Sequence, residues 1–290
     1  MQLGHRNYFP VLAASASLSF LRCLQVVVRN ELFKDRGAAL LSAVKRLPAL
    51  ETLDISYDTN VDFDEGEISD INGLPCCKEL AQLHSRSLTR LRVCMLDGPT
   101  RNNMLRLSGL PELRSLELVG HEGIDRDPPE APALNIRIDA ASFKEVPQLQ
   151  SLQITFGKDL ILLDSSLVQL TALTSLALTG CGLQSVPADL SSLCATLREL
   201  ELSRNEPLQL DDAAVASIVQ CSRLTVLGLH KPDVQVIVRS NVGETLWQTI
   251  DEYVEESYYP AQWNADSVRH LVQLPAAFRA RHGHDLSVVM

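Results

Sequence analysis

One pattern constrains this chain more than any other, the triplet Leu-x-x-Leu-x-(Leu/Ile/Val). It occurs at Leu21-Leu24-Val26, Leu50-Leu53-Ile55, Leu88-Leu91-Val93 and Leu113-Leu116-Leu118. It returns at Leu149-Leu152-Ile154, Leu173-Leu176-Leu178, Leu197-Leu200-Leu202 and Leu224-Leu227-Leu229. Successive first leucines are 29, 38, 25, 36, 24, 24 and 27 residues apart. Leucine supplies 49 of the 290 residues, yet eight copies are hard to produce by chance even at that abundance. Within each triplet the last two apolar positions alternate with other residues at period two, which predicts a short strand with one buried face. One such unit cannot bury its apolar face alone, whereas stacked copies share a continuous core.

The connections carry helical signals. Gly37–Arg46, Ser142–Glu145 and Ala213–Gln220 read as short helices. Asp35, Asp139, Asp211 and Asp212 stand just ahead of them, where a carboxylate accepts hydrogen bonds from unpaired helical N–H groups. The phrases LPALETLDIS, LPELRSLELVG and VPQLQSLQITF share a Leu/Val-Pro two or three residues before the first leucine.

The segment Leu173 to Asn205 resembles the leucine-rich-repeat family. Leu173, Leu176, Leu178, Cys181, Leu183, Val186, Pro187 and Leu190 fill that family's positions in order, and Asn205 closes the next triplet at its Asn/Cys position. The resemblance extends over about Leu18 to His230. It implies an α/β solenoid, curved, with a parallel sheet on the concave side and helices or extended turns on the convex side.

Two spacings are too long for a simple unit. The stretch near 56–74, with its run of acids from Asp54 to Asp70, and the Pro-rich stretch near 120–135 are expected as insertions. Ala133–Asp139 could add a degenerate strand, making nine units instead of eight. Residues 1–20 are read as an N-terminal remainder or a degenerate first repeat, 21–230 as the repeats and 231–290 as a C-terminal cap. In the cap, Glu244–Ser257 places Leu246, Ile250, Tyr253 and Val254 on one helical face. Ser267–Arg281 forms a second helix interrupted or ended near Pro275, and DLSVVM supplies a final strand.

Charge and cysteine usage narrow the setting. Lys+Arg 26 against Asp+Glu 36 gives a net charge of −10, unfavourable for phosphate backbones and anionic lipid heads. Nucleic acid and membrane insertion are therefore excluded as expectations. The seven cysteines are odd in number, scattered and without a C-x-x-C pair, and none of the ten asparagines opens an Asn-x-Ser/Thr acceptor. The polar residues within Phe9–Val28 rule it out as a spanning segment. A cytoplasmic location follows as the expectation.

No motif carries chemistry. Asp58-x-Asn60-x-Asp62-x-Asp64 has the alternation of a calcium loop, but Phe63 stands at the sharp-turn position and Ser69 where a bidentate acid is needed. His282-x-His284-Asp285 lacks a third ligand at useful spacing, and Gly180-x-Gly182 lacks the dinucleotide context. We therefore expect no catalytic residue, metal, cofactor or small-molecule substrate.

The outward positions of the strands remain. Side chains alternate across a strand, so the third, fifth and seventh triplet positions face away from the core. The candidate partner-binding residues read off in this way are Asp54, Ser56, Arg90, Arg92, Glu117, Gln153, Thr155, Glu199, Glu201 and His230, with Tyr57 and Arg204 at strand ends. Arg90 and Arg92 form a basic spot and Glu199 and Glu201 an acidic one, which would select and orient a partner protein. The expected function is a non-enzymatic protein-interaction scaffold. The resemblance also implies two alternatives: the substrate-recognition part of an F-box/leucine-rich-repeat ubiquitin-ligase subunit, or a structural component docked on the cytoskeleton or a cilium axoneme.

Overall fold

Each Leu/Val-Pro signature turns out to be a tight bend. In Leu47-Pro48-Ala49-Leu50 the Leu50 N–H donates to the Leu47 carbonyl at 3.2 Å. Leu113 to Leu110 (3.1 Å) and Leu149 to Val146 (3.2 Å) repeat the geometry. Proline presets the backbone angle at the second position of such a turn, so the bend delivers the first leucine inward and launches the strand. Leu173 and Leu224 are reached by the same bond without proline, from Leu170 and Cys221.

The computed structural model describes residues 2–3, 18–28, 37–57, 77–95, 104–120, 136–155, 160–163, 165–205, 208–229 and 265–289. Its strands are β1 (Gln2–Leu3), β2 (Cys23–Val28), β3 (Thr52–Tyr57), β4 (Arg90–Met95), β5 (Ser115–Gly120), β6 (Arg137–Ile138), β7 (Ser151–Thr155), β8 (Ile161–Leu162), β9 (Ser175–Thr179), β10 (Glu199–Glu201), β11 (Val226–Gly228) and β12 (Ser287–Val289). The helices are α1 (Gly37–Val44), α2 (Cys77–Leu80), α3 (Leu190–Leu193), α4 (Asp212–Gln220) and α5 (Ala265–His282).

Ten strands form one parallel sheet in chain order, β1-β2-β3-β4-β5-β7-β9-β10-β11-β12. Parallel neighbours need a crossover, and among the described residues turns and helices lie in these connections, giving an α/β arrangement. The register places like on like: Leu24, Leu53, Leu91, Leu116, Leu152, Leu176, Leu200 and Leu227 pair in sequence across the sheet. All eight are buried, as are Val26, Ile55, Val93, Leu118, Ile154, Leu178, Leu202 and Leu229 one step further along. A second ladder runs where the strands begin. The carbonyls of Arg22, Glu51, Thr89, Arg114, Gln150, Thr174 and Arg198 each accept two N–H groups from the following unit.

The middle connections differ from helices. The strand expected at Ala133–Asp139 forms at Arg137–Ile138 but pairs with β8 in a separate two-stranded sheet, and Met104 bridges Arg137. It therefore adds no strand to the main sheet. Ser142–Glu145 makes turns rather than a helix. Arg106 grips Asp139 through two 2.8 Å bonds, and the Asp139 carboxylate also accepts from the Ala141 N–H and the Ser142 hydroxyl. Burial pushes the Asp139 carboxyl up, but the Arg106 bonds and charge outweigh it and hold the group below the usual carboxylate range.

At the C-terminal end α5 runs unbroken through Pro275. Proline removes one helical hydrogen bond, but Leu271, Leu274 and Phe278 bury one face of the helix, and that packing keeps it whole. Gly283, with φ of +74°, ends it. The His282 Nε2 lies 2.6 Å from the Val219 carbonyl at the end of α4. The DLSVVM strand forms as β12 and extends the sheet beyond β11. The acidic and Pro-rich insertions, Asp35, the Asp58–Asp64 alternation and the Glu244–Ser257 segment lie outside the described residues.

Candidate partner-binding face

Strand burial alternates strictly in the middle of the sheet: Ser115–Gly120 and Ser175–Thr179 have every second side chain buried and the others half-exposed. The half-exposed set builds the open face. Register turns it into rows, one of which runs Gln25, Asp54, Arg92, Glu117, Gln153, Ala177, Glu201 and Gly228.

Four members of that row are wired together. Gln25 Nε2 donates to Asp54 Oδ2 at 3.2 Å, Arg92 donates to Asp54 Oδ1 at 3.3 Å, and Arg92 Nε donates to Glu117 Oε1 at 2.9 Å. Burial pulls the Arg92 guanidinium down, but the hydrogen bond and charge of Glu117, with Asp54 behind, leave it above its ordinary value. This changes the electrostatic reading of the face. Arg92 is spoken for by two carboxylates, so the basic spot expected at Arg90 and Arg92 reduces to Arg90. Arg90 is exposed and makes no ion pair among the described residues. Aligning the fifth position of three successive units, Asp-Arg-Glu, carries the signal that would have revealed this pairing.

The acidic spot also divides. Glu199 is exposed, whereas Glu201 is half-buried and accepts the Ser203 N–H at 2.8 Å. The Glu201 carboxylate lies over Gly228, in the space that a Cβ at that position would take. Gly228 thus leaves the space that Glu201 occupies. Beside it Val226 is 36% exposed, an apolar member of the face that was not among the expected contact residues.

The remaining expected residues scatter. Ser56 and Thr155 are half-buried on the face, and Thr155 Oγ1 accepts from Gln153 Nε2 at 3.4 Å. Tyr57 closes β3, and His230 lies outside the described residues. Arg204 is exposed with φ of +58°. That left-handed backbone turns the chain so that Asn205 points inward.

Asn205 is a structural residue of this end of the sheet. It is buried, its Oδ1 accepts the Cys181 and Leu183 N–H groups at 2.8 and 3.2 Å, and its Nδ2 donates to the Leu178 and Leu202 carbonyls at 2.7 Å each. Cys181 holds the corresponding place one unit earlier, its Sγ donating to the Ile154 carbonyl at 3.4 Å. Ile154 and Leu178 are register partners, so thiol and amide do the same job in successive units.

Among the described residues no group of three or more His, Cys, Asp or Glu side chains is assembled to hold a metal ion, and no helix is long and apolar enough to cross a membrane. No family model matches the chain, and no curated protein matches it at a significant level.

Proposed function

We propose that the chain is a leucine-rich-repeat solenoid that works as a non-enzymatic interaction scaffold in the cytoplasm, offering the open, concave face of its sheet to another protein. One observation carries this reading: the outward positions of successive strands fall into continuous rows, mostly polar and mostly open to solvent, on a sheet whose other face is buried and apolar from Leu24 to Leu227. A rigid surface of this kind loses little conformational freedom on binding. Its fixed Asp54–Arg92–Glu117 chain would set orientation, and Arg90, Glu199 and Val226 would supply accessible contacts of three different chemistries. The location is supported by the odd, scattered cysteines and the lack of glycosylation acceptors.

The test uses only exposed face residues, so that the fold is spared. Affinity capture is run with the wild type and with an Arg90→Glu, Glu199→Lys, Val226→Glu variant that melts like the wild type. A protein captured by the wild type alone, whose binding is then reproduced with purified components, supports the proposal. Equal capture by both baits removes this face from the interaction.

A further inference from the structure

Two thiols, Cys194 and Cys221, occupy equivalent places in successive units. Cys194 precedes Leu197 by three residues and Cys221 precedes Leu224 by three, so the 27-residue repeat spacing stacks one on the other. Cys194 is the C-terminal cap of α3 and Cys221 that of α4. Their Sγ atoms lie 2.6 Å apart, and both thiols approach the Ser217 carbonyl, at 3.7 and 3.5 Å. A covalent S–S bond is about 2.05 Å long, so closing it needs only a small side-chain adjustment.

We propose that Cys194 and Cys221 are a modification site, forming a reversible intramolecular disulfide when a low-molecular-weight disulfide of the glutathione class is present. Accessibility orders the steps. Cys194 is partly exposed and Cys221 is fully buried. The Cys194 sulfur, as thiolate, attacks one sulfur of the oxidised reagent, forming a mixed disulfide and expelling one reagent thiolate, which takes up the proton Cys194 lost. The Cys221 sulfur then loses its proton, attacks Cys194 Sγ and expels the second reagent thiol, which carries that proton away. Two protein thiols are oxidised, one reagent disulfide is reduced to two thiols, and no other electron source is needed. Burial, followed by the neighbouring Cys194 thiol, pushes the Cys221 thiol above the usual cysteine range. That shift slows Cys221 as a nucleophile, so its role as the resolving thiol rests on position: it is shielded from the reagent but lies against Cys194 Sγ.

The consequence is local. The bond would tie the ends of α3 and α4 together on either side of β10, the strand that presents Glu199 and Glu201. The end of α4 also receives His282 of α5, so the clamp would extend to the C-terminal helix. In a reducing compartment such a bond is transient, which suits a reversible lock better than a permanent staple.

The experiment incubates the reduced full chain with oxidised glutathione, then digests it without reductant for mass spectrometry. The expected result is a Cys194–Cys221 linked peptide lighter by two hydrogens than its parts, lost on adding dithiothreitol. In Cys221→Ser, the expected result is a glutathione adduct that persists on Cys194. The oxidised wild type should also melt a few degrees higher than the reduced form, and lose that gain on reduction. A stable glutathione adduct on wild-type Cys194, an unreacted pair, or linkage of either residue to Cys23, Cys77, Cys94 or Cys181 would overturn the assignment. The wild-type mapping decides the matter even if the serine variant does not fold.

Discussion

Replacing Asn205 by alanine should loosen the sheet between β9 and β10, and the cost can be worked from its bonds. The side chain satisfies two buried amides, Cys181 and Leu183, and two carbonyls, Leu178 and Leu202. Alanine leaves all four without it, in a spot where Asn205 itself is 1% exposed. A buried donor left unpaired costs about 1–3 kcal/mol, so the two amides alone set a loss of roughly 2–6 kcal/mol. The carbonyls add less, since an oxygen with two lone pairs tolerates losing one partner. Asn205→Cys should cost less than Asn205→Ala, because Cys181 shows that a thiol at this place can still donate to the preceding carbonyl. Repeat arrays need not unfold in one step, so the primary assay is hydrogen exchange at the Cys181 and Leu183 amides, with urea denaturation alongside. Unchanged protection at both amides in Asn205→Ala, with a stability loss under about 0.5 kcal/mol, would refute the assignment of Asn205 as the bridge between these units.

Two further outcomes follow from particular contacts. Gly228→Ala should cost about 0.5–1.5 kcal/mol, the order of one hydrogen bond, because its Cβ would push the half-exposed Glu201 carboxylate aside and off the Ser203 N–H. In the Glu201→Ala background the same change should cost less, and a double-mutant cycle by denaturation that shows simple additivity would contradict the packing. The Asp139 carboxyl is held below its usual range by Arg106, so it binds protons less readily folded than unfolded. Its contribution is therefore complete above the unfolded value of about 4 and is lost as pH falls through the depressed folded value. Asp139→Asn should flatten the acid limb of the stability–pH curve, and an unaltered limb would show that the Arg106 grip contributes nothing.

The legibility of this molecule differs between its two faces. The buried face is a matter of period: leucines at fixed offsets declare which side of each strand is apolar, and Asn205 and Cys181 declare where each strand must be bridged. The open face carries no such period. Arg92 stands beside Arg90 as a second basic residue when a strand is read by itself, and only the neighbouring strands make it the partner of Asp54 and Glu117. Glu201 differs from Glu199 for the same reason, since the empty space over Gly228 belongs to the adjacent unit.

The chain's own order of residues determined the place and spacing of the eight repeat strands, the proline bends that start three of them, and which side chains go inside. These are local properties, set by period-two alternation and by turn chemistry, and they hold wherever the segment is placed. Tertiary structure decided what depends on stacking. It made the Ala133–Asp139 strand join β8 instead of the main sheet, carried α5 through Pro275 because Leu274 and Phe278 had a core to fill, and brought Cys194 onto Cys221 across 27 residues of chain. The physical reason is common to all three: their energies come from contacts between units, and those contacts exist only once the units are stacked.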